Sequence, residues 1–309
     1  MTHVVLGGTG ASGTATVKAL VASGVAVDSI ARSAQPEQAG VRTVRADLLD
    51  AGQTRAAVAG TEVAYLTAGL PYSTRQWAAQ WPVVMANTIE ACLAAGTPLV
   101  FLDNVYAYGP VDGPMTENTP YRPTTRKGRI RWELLRMLDS AAERGLRYSV
   151  VRSADFYGPG ASTSVFTTMV IDNMVAGKPP VWLFDASKRH SMTFVPDLGR
   201  ALAAVGTKWS ASTPNGQVWH APTASPPLTG EQYAALAGGA GTLRTLSALA
   251  MRFGGIFIPA AREAIELAYQ STRDYVFDSS RFEAEFGIAP TSYAEGIAAT
   301  LAAQRAGAF

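Results

Sequence analysis

Short apolar runs alternate with longer stretches of helical periodicity through the first half of this 309-residue chain. Near-continuous apolar runs such as LVFL and SVV are typical of strands in a sheet that is covered on both faces. The pattern predicts strands at residues 3–7, 25–31, 41–47, 63–68, 98–103 and 147–152, and helices near 12–23, 51–59, 76–95 and 126–144. This alternation predicts an α/β fold with a doubly wound parallel sheet.

The alternation loosens after residue 155, where Pro and Gly interrupt the chain in GPGAS, GKPP, TPNG and TASPPLTG. Open α/β sheets bind ligands at the carboxyl ends of their strands, and a second part of the chain often covers that edge. We therefore predict a nucleotide-binding domain over residues 1–155, with a returning segment near 193–220, and a small lobe over 156–309 that mainly binds substrate.

Composition agrees with an ordinary globular protein, with 48% hydrophobic residues, 16% charged residues and a net charge of +2. There is no basic excess of the kind that binds nucleic acid or an anionic membrane. The single cysteine, Cys92, lies in the apolar pattern IEACLAAG and is predicted to be a buried apolar residue. No disulfide can form within the chain, so the expected compartment is the reducing cytoplasm.

Targeting and metal signals are not found in the sequence. The start MTHVVLGGTG has no charged region or cleavage site typical of a signal peptide. The longest apolar tract, LSALAMRFGGIFIPAA, is interrupted by Arg252 and is too short to span a bilayer, so we predict that it belongs to a pocket or core. His3, His190 and His220 have no metal-ligand spacing, and no metal is predicted.

A glycine-rich segment, GGTGASG, joins the first predicted strand to the first predicted helix. Gly7, Gly10 and Gly13 permit a tight turn, close approach to a pyrophosphate and close helix packing, while free N–H groups at the helix start attract phosphates. The sequence therefore predicts a Rossmann-type dinucleotide site. The cofactor-binding set from this segment comprises Gly7, Thr9, Gly10, Ala11, Ser12 and Gly13.

The second predicted strand ends in SIARS, where an NAD site usually has an Asp or Glu that accepts from the ribose hydroxyls. Arg32, followed by Ser33, instead suits a 2′-phosphate, because its charge and planar donors match that group. We therefore favour NADP(H) over NAD(H). Asp47 and Leu48 end the third strand beside the expected adenine, and Ala68 and Gly69 end the fourth with small side chains.

Eight segments follow one another as the corresponding segments do in the extended short-chain dehydrogenase/reductase superfamily, which the chain resembles up to about residue 205. They are GGTGASG, ADLLD, VAYLTAG, NTIEACLAAG, VFLDNVYAYGP, YRPTTRKGRIRWELL, VVRSADFYGPG and MTFVPDLGRAL. The group contains nucleotide-sugar epimerases and dehydratases and many NADP-dependent reductases. The resemblance implies a Rossmann domain, a small C-terminal substrate lobe and often a homodimer built from the helices near 76–95 and 126–144.

The family's chemistry uses a Ser or Thr after the fifth strand and a Tyr-x-x-x-Lys on the following helix, and this chain departs from both. The resemblance places Asn104 at the hydroxyl position and, counting back from Glu133, Arg129 at the lysine and Thr125 at the tyrosine. Asn104 can still donate to a substrate oxygen, and Arg129 can hold ribose hydroxyls. Arginine does not exchange protons, however, and threonine is too weak an acid to replace a phenol.

Other proton donors follow the predicted strand ends. Lys127, Arg129 and Arg131 alternate with other residues at a helix start, where a solvated basic helix end is the alternative. Tyr106, Tyr108 and Tyr157 follow strands five and six and are otherwise packing residues, while Asp103 and Asp155 form an acid–base site if they are desolvated. The catalytic candidates are Asn104, Tyr106, Lys127, Arg129 and Tyr157, and Ser153 joins Asn104 and Arg129 among the cofactor contacts.

Methionine and aromatic residues are frequent in the segments that should cover the cofactor, and few basic residues accompany them between 155 and 195. This composition favours an apolar small-molecule substrate. Three functions remain. The first is an NADPH-dependent reductase of an apolar or aromatic carbonyl, enone, quinone or imine. The alternatives are a nucleotide-sugar epimerase or dehydratase and a non-catalytic NADP-binding sensor.

Overall fold

The computed structural model describes residues 2–33, 35, 37–239, 241, 243–251 and 259–307. In these residues, seven parallel strands form one sheet in the order β11-β6-β5-β4-β1-β2-β3. The strands are β1 (Thr2–Leu6), β2 (Ala26–Ala31), β3 (Val41–Arg45), β4 (Val63–Leu66), β5 (Leu99–Asn104), β6 (Tyr148–Ser153) and β11 (Gln217–His220). The predicted Rossmann-type α/β fold is confirmed, and each of the six predicted strands is present within two residues of its expected bounds.

Two helical layers cover the sheet. On one face lie α2 (Ala51–Val58), α3 (Thr74–Ala95) and α4 (Arg126–Glu143), and on the other lie α1 (Ala11–Ala22) and α6 (Val195–Thr207). Both faces of each central strand are covered by apolar side chains from these layers. Successive strand residues are therefore buried, which explains the continuous apolar runs in the sequence. Cys92 on α3 is 1% exposed, as predicted for a buried residue.

The remaining strands and α-helices follow β6 in the chain. They are β7 (Asp155–Tyr157), β8 (Val181–Leu183), β9 (Arg189–His190), β10 (Met192–Phe194), β12 (Leu228–Thr229), β13 (Arg244–Leu246), α5 (Asp172–Val175), α7 (Gly230–Leu236), α8 (Pro259–Ile265), α9 (Ser280–Phe286) and α10 (Tyr293–Arg305). An aromatic cluster around Tyr157, Phe166, Trp182 and Tyr233 forms a core between β7, β8, β10, α7 and α10. Residues 252–258 of the apolar tract lie outside the described residues, and the division of the chain at 155 stays a prediction.

The first turns of α1 depend on close packing against α6. A Cβ added at Gly199 would lie 2.4 Å from the backbone carbonyl carbon of Ala15. We expect Gly199→Ala to lower the free energy of unfolding by about 1–3 kcal/mol, because the two helices must move apart. Urea denaturation of this variant and of Gly52→Ala, whose added Cβ meets only the Asp50 carboxylate at 3.3 Å, measures the difference. Equal stability of the two variants would contradict this packing argument.

Candidate active site

The glycine loop after β1 makes close backbone contacts at Gly7 and Gly13 and leaves open space at Gly10. Gly7 has a φ of 99°, and an added Cβ there would lie 2.5 Å from Ala68 Cα. A Cβ at Gly13 would lie 2.1 Å from the Gly7 carbonyl oxygen, so both positions require glycine. At Gly10, by contrast, the nearest atom is 3.7 Å away, and α1 begins there without a side-chain cap. Its first N–H groups are therefore available to an anion, and the loop fits a pyrophosphate.

The residues expected beside the adenosine lie at the ends of β2 and β3. Arg32 and Ser33 are exposed just beyond β2. Asp47 is partly buried, and its carboxylate accepts a backbone N–H two residues further on at 3.0 Å. The buried Leu48 is fixed by Asn87 of α3, whose Nδ2 donates to the Leu48 carbonyl at 2.9 Å. Their contacts with a cofactor stay predictions.

Four further expected cofactor contacts lie along the same edge. Ala68 and Gly69 follow β4, and Ser153, 4% exposed, ends β6. Asn104 ends β5, and its Oδ1 accepts the backbone N–H of Tyr106 at 3.0 Å. Because this bond uses only the carbonyl oxygen, the amide Nδ2 of Asn104 can donate to a ligand.

The basic residues at the start of α4 fall into a buried set and an exposed one. Thr125 is the N-cap of the helix, and its hydroxyl accepts the Gly128 N–H at 3.0 Å. Lys127 is 0% exposed and Arg131 is 3% exposed, whereas Arg129 faces solvent and donates to the Thr124 carbonyl at 3.2 Å. Arg129 therefore lies on the solvent face of α4, and its assignment to the lysine position stays a prediction. Lys127 and Arg131 are the basic residues that face inward.

Lys127 lies in a cluster of charged groups that joins three helical segments. Its Nζ donates to Thr74 Oγ1 at 2.9 Å, to Glu263 and to Glu266 Oε2 at 3.2 Å. Glu266 also accepts the backbone N–H groups of Arg126 and Lys127 at the start of α4. Burial raises the pKa values of Glu263 and Glu266, but hydrogen bonds, chiefly from Lys127, outweigh it and bring both pKa values below the ordinary value. Both carboxylates are therefore charged at neutral pH.

Two tyrosines lie beside this cluster. The Tyr72 ring centroid is 4.6 Å from Lys127 Nζ, and the Tyr72 hydroxyl is 3.5 Å from the Tyr106 hydroxyl. Tyr106 stacks on Trp77 with 6.2 Å between the ring centroids. Burial raises the pKa of Tyr106 well above its ordinary value, and the charge of Asp155 adds to this effect. Sequence reasoning missed Tyr72, which follows β4; its place after a strand end was the available signal.

Asp155 is the acidic residue that remains accessible at the strand ends. Its side chain is 45% exposed, and its Oδ2 lies 3.0 Å from His190 Nε2. Asp103, in contrast, is 0% exposed in its side chain and lies between Arg131 and Arg152, which contact its two oxygens. The expectation that both aspartates form an acid–base site is therefore wrong for Asp103, which is a structural ion-pair partner.

Tyr157 does not lie at the open edge. It is 1% exposed, and its ring packs against Phe166, Phe194 and Tyr293 in the aromatic core. Its hydroxyl has no hydrogen-bond partner in the described part of the chain. We therefore withdraw Tyr157 as a proton donor, since a substrate oxygen cannot reach it without opening that core.

Most aromatic and methionine side chains that suggested an apolar substrate cavity are core residues instead. Six of them are at most 7% exposed: Trp77, Trp81, Met115, Phe166, Trp182 and Met192. Composition could not separate these two roles, because both need large apolar side chains. The groups that the fold brings together at the open edge are mainly polar: Asn104, Tyr72, Tyr106, Lys127 and Asp155.

Comparisons with known proteins identify the family and the fold. The family model described as the NAD dependent epimerase/dehydratase family matches residues 3–219. A comparison with curated protein sequences found no match. No helix in the described part of the chain has the length and apolar character that a transmembrane span needs.

Solved structures of similar shape cover nearly the whole chain. MoeE5 in complex with UDP-glucuronic acid and NAD has a TM-score of 0.81 and 21% identity, over 99% of this chain and 100% of that one. The UDP-glucose 4-epimerase of Thermotoga maritima, with UDP-glucose, has a TM-score of 0.80 and 17% identity over 100% of both chains. DesIV, a dTDP-glucose 4,6-dehydratase from Streptomyces venezuelae with NAD and TYD bound, has a TM-score of 0.80 and 20% identity, over 99% and 97%. At these low identities, the structural similarity shows the fold alone. The family model spans more than half of the chain, and the chain therefore belongs to the NAD dependent epimerase/dehydratase family.

Proposed function

We propose that the protein is a nicotinamide-dinucleotide-dependent enzyme that acts on a carbon–oxygen centre of a small molecule bound over the carboxyl ends of β4, β5 and β6. One observation carries this proposal. A glycine loop with open space at Gly10 and a set of polar groups around Tyr106, Lys127 and Asp155 occupy the same edge of one sheet. Ligands of doubly wound folds bind at that edge.

The substrate class that family membership favours is a nucleotide-linked sugar, with epimerisation or dehydration as the reaction. The solved structures of MoeE5, the epimerase and DesIV bind such nucleotides or NAD, and the family model carries the same two activities in its description. The sequence alone favoured an NADPH-dependent reductase of an apolar molecule. That argument is weaker now, because its aromatic residues form a core rather than an open cavity.

A reductase remains the second candidate for one specific reason. Pro123 stands four residues before Lys127, where the family's motif has tyrosine. Hydride transfer to a conjugated alkene, quinone or imine depends less on a strong acid than sugar oxidation does. The departure from Tyr-x-x-x-Lys is therefore an argument for this chemistry, as well as for a protein that binds the dinucleotide without turnover.

The bound nicotinamide supplies hydride transfer to or from a carbon atom. The chain's own groups then orient the substrate and move a proton. The Nδ2 group of Asn104 donates to the substrate oxygen, and a phenol at Tyr72 or Tyr106 exchanges a proton with it. Lys127 supplies positive charge beside that phenol, and Asp155, paired with His190, accepts from a substrate hydroxyl.

Two sets of assays test the proposal. The purified protein is mixed with UDP-glucose or dTDP-glucose and NAD, and separately with NADPH and an aromatic aldehyde or a small quinone. Conversion of a sugar without net change in cofactor supports the first candidate, and steady oxidation of NADPH supports the second. Dinucleotide binding without turnover of any probe would contradict both and favour the sensor.

Arg32 tests the choice between NADP and NAD, which no comparison distinguishes. Because Arg32 is exposed beyond β2, its replacement should not disturb the fold. We expect Arg32→Ala to weaken NADPH binding by about tenfold or more, the value of a charge-assisted hydrogen bond, and to leave NADH binding unchanged. Nicotinamide fluorescence titrations measure both. Equal effects on the two cofactors would exclude a 2′-phosphate contact at Arg32.

A further inference from the structure

We infer that Tyr72, in the loop after β4, and Lys127, at the start of α4, replace the Tyr-x-x-x-Lys pair that this chain lacks. Tyr72 exchanges a proton with the substrate oxygen, and Lys127 stabilises the phenolate that this exchange leaves. This inference deepens the function proposed above and rests on it. It assigns a catalytic role to a tyrosine in the loop after β4. The family motif has its phenol on the helix after β5, and that helix contains no tyrosine in this chain.

Contact between the two side chains is direct. Lys127 Nζ lies 4.6 Å from the centroid of the Tyr72 ring, within the range of a cation–π interaction. The ammonium is fully buried, while Tyr72 is 45% exposed. The pair therefore presents a phenol to the open edge of the site with a cation fixed behind it.

The ammonium cannot easily turn away from the phenol. Thr74, Glu263 and Glu266 accept hydrogen bonds from its three donor positions, and the backbone carbonyl of Glu263 lies 3.3 Å from it. Glu266 also accepts backbone N–H groups at the start of α4, so its carboxylate is fixed to the same helix that carries the lysine. A buried charge with this many partners is held in one place.

Exposure distinguishes Tyr72 from the other tyrosines. All eleven tyrosines of the chain are among the described residues, and of these only Tyr72 is exposed. Tyr106 is partly buried against Trp77, and its hydroxyl lies 3.5 Å from that of Tyr72. Tyr106 is therefore placed to orient the Tyr72 hydroxyl rather than to meet the substrate itself.

Burial and the charges around Tyr72 determine whether its phenol is protonated before the reaction. Partial burial and the negative charges of Asp155, Glu266 and Glu263 raise the pKa of Tyr72, so the phenol is protonated at neutral pH. In the reducing direction the Tyr72 O–H bond breaks and a substrate O–H bond forms, as the hydride from the reduced dinucleotide reaches the carbon. The phenolate regains a proton from water, which reaches it because the residue is exposed. In the oxidising direction the same steps run in reverse.

Hydroxyl-radical footprinting tests the location of Tyr72 without any substrate. Bound NADPH or NAD should reduce oxidation of Tyr72 by about fivefold, as its exposed fraction falls from 45% to that of a group inside a ligand site. Trp132, 39% exposed on the outer face of α4, is the internal reference and should not change. Unchanged oxidation of Tyr72 while nicotinamide fluorescence reports a bound dinucleotide would overturn the inference and leave the proposed function standing.

Kinetics test the role. With whichever sugar or aldehyde probe the wild type converts, Tyr72→Phe should lower kcat by about 100-fold or more, the value of general acid–base catalysis, with the dinucleotide Kd within about twofold. Tyr106→Phe is the matched control and should lose less. Lys127→Met should lower kcat, Lys127→Arg should restore part of it, and the double variant with Tyr72→Phe should be no slower than Tyr72→Phe alone.

The remaining outcomes separate the two proposals. If Tyr72→Phe keeps the wild-type kcat, Tyr72 is not the proton donor and the inference fails while the enzyme assignment stands. Additive losses in the double variant would also overturn it, because Lys127 would then act independently of Tyr72. If the wild type binds no dinucleotide, or binds it and converts no probe, the proposed function fails and this inference fails with it.

Discussion

Gly10→Val should weaken dinucleotide binding by about 100-fold and leave the protein folded. The backbone at Gly10 has φ −69° and ψ 160°, a conformation that valine adopts readily, and an added Cβ would meet its nearest neighbour at 3.7 Å. The side chain would therefore enter the open space in front of the first N–H groups of α1, where the pyrophosphate is proposed to bind. We expect the Kd for NADH or NADPH to rise by about 100-fold, equivalent to ~3 kcal/mol of steric cost.

Nicotinamide fluorescence titrations and thermal unfolding measure the two parts of this prediction. Loss of the glycine N-cap should lower the free energy of unfolding by about 1 kcal/mol, which leaves the chain folded at room temperature. Gly52→Ala on α2 is the control, because it also adds a Cβ near a helix start but lies outside the loop. Unchanged dinucleotide affinity in Gly10→Val would mean that the pyrophosphate does not bind at this turn.

Asp103→Leu should lower the free energy of unfolding by about 3–5 kcal/mol, the usual cost of removing one partner of a buried ion pair. Arg131 Nε donates to Asp103 Oδ1 at 2.7 Å, and Arg152 Nη2 donates to Oδ2 at 2.8 Å. Both guanidinium groups are at most 3% exposed. Leucine fills a similar volume but leaves two buried positive charges without a counterion, near the carboxyl end of the β5–β6 pair.

Urea denaturation gives the size of this effect. The control is Glu90→Gln, because Glu90 forms an ion pair with Arg144 in which both side chains are more than half exposed. Exposed pairs contribute little, so this variant should change the free energy of unfolding by less than about 1 kcal/mol. A similar loss of unfolding free energy in the two variants would show that Asp103 does not compensate the charges of the buried arginines. Asp103 would then again be a candidate for acid–base chemistry.

The sheet and the glycine loop were predictable from the sequence because each follows from a local pattern. Continuous apolar runs mark buried parallel strands, and a strand followed by GGTGASG and a helix marks a dinucleotide loop. The bounds of α4 also agree within one residue with those predicted. Each of these features depends on residues that are close together in the sequence, so it can be predicted from the sequence alone.

The sequence contained a signal for the inward face of α4 that the family motif does not use. Leu134 and Leu138 are fully buried, and positions seven residues before them, two helical turns, lie on the same face. Those positions are Lys127 and Arg131, which are buried. Counting from Glu133, which is exposed, led instead to Arg129 on the opposite face. The apolar periodicity therefore predicts which basic residues of α4 are buried, whereas the family motif does not.

The partners of Lys127 could not have been predicted. Glu263 and Glu266 are 136 and 139 residues from it in sequence, and no spacing rule connects them. Tyr72 was also missed, although its place in the loop after β4 was a signal, because the family motif has its phenol on the helix after β5. Composition likewise could not separate a core of aromatic residues from the lining of a cavity, and it therefore favoured an apolar substrate too strongly.

A crystal structure with bound NADP or NAD tests the central claim most directly. The account predicts the pyrophosphate in front of Gly10 and the nicotinamide at the ends of β5 and β6, with the Tyr72 hydroxyl facing the space over nicotinamide C4. A substrate oxygen placed there would lie about 2.6–3.2 Å from that hydroxyl. A nicotinamide turned away from Tyr72 and Lys127, with another side chain within hydrogen-bond reach of that space, would contradict the account.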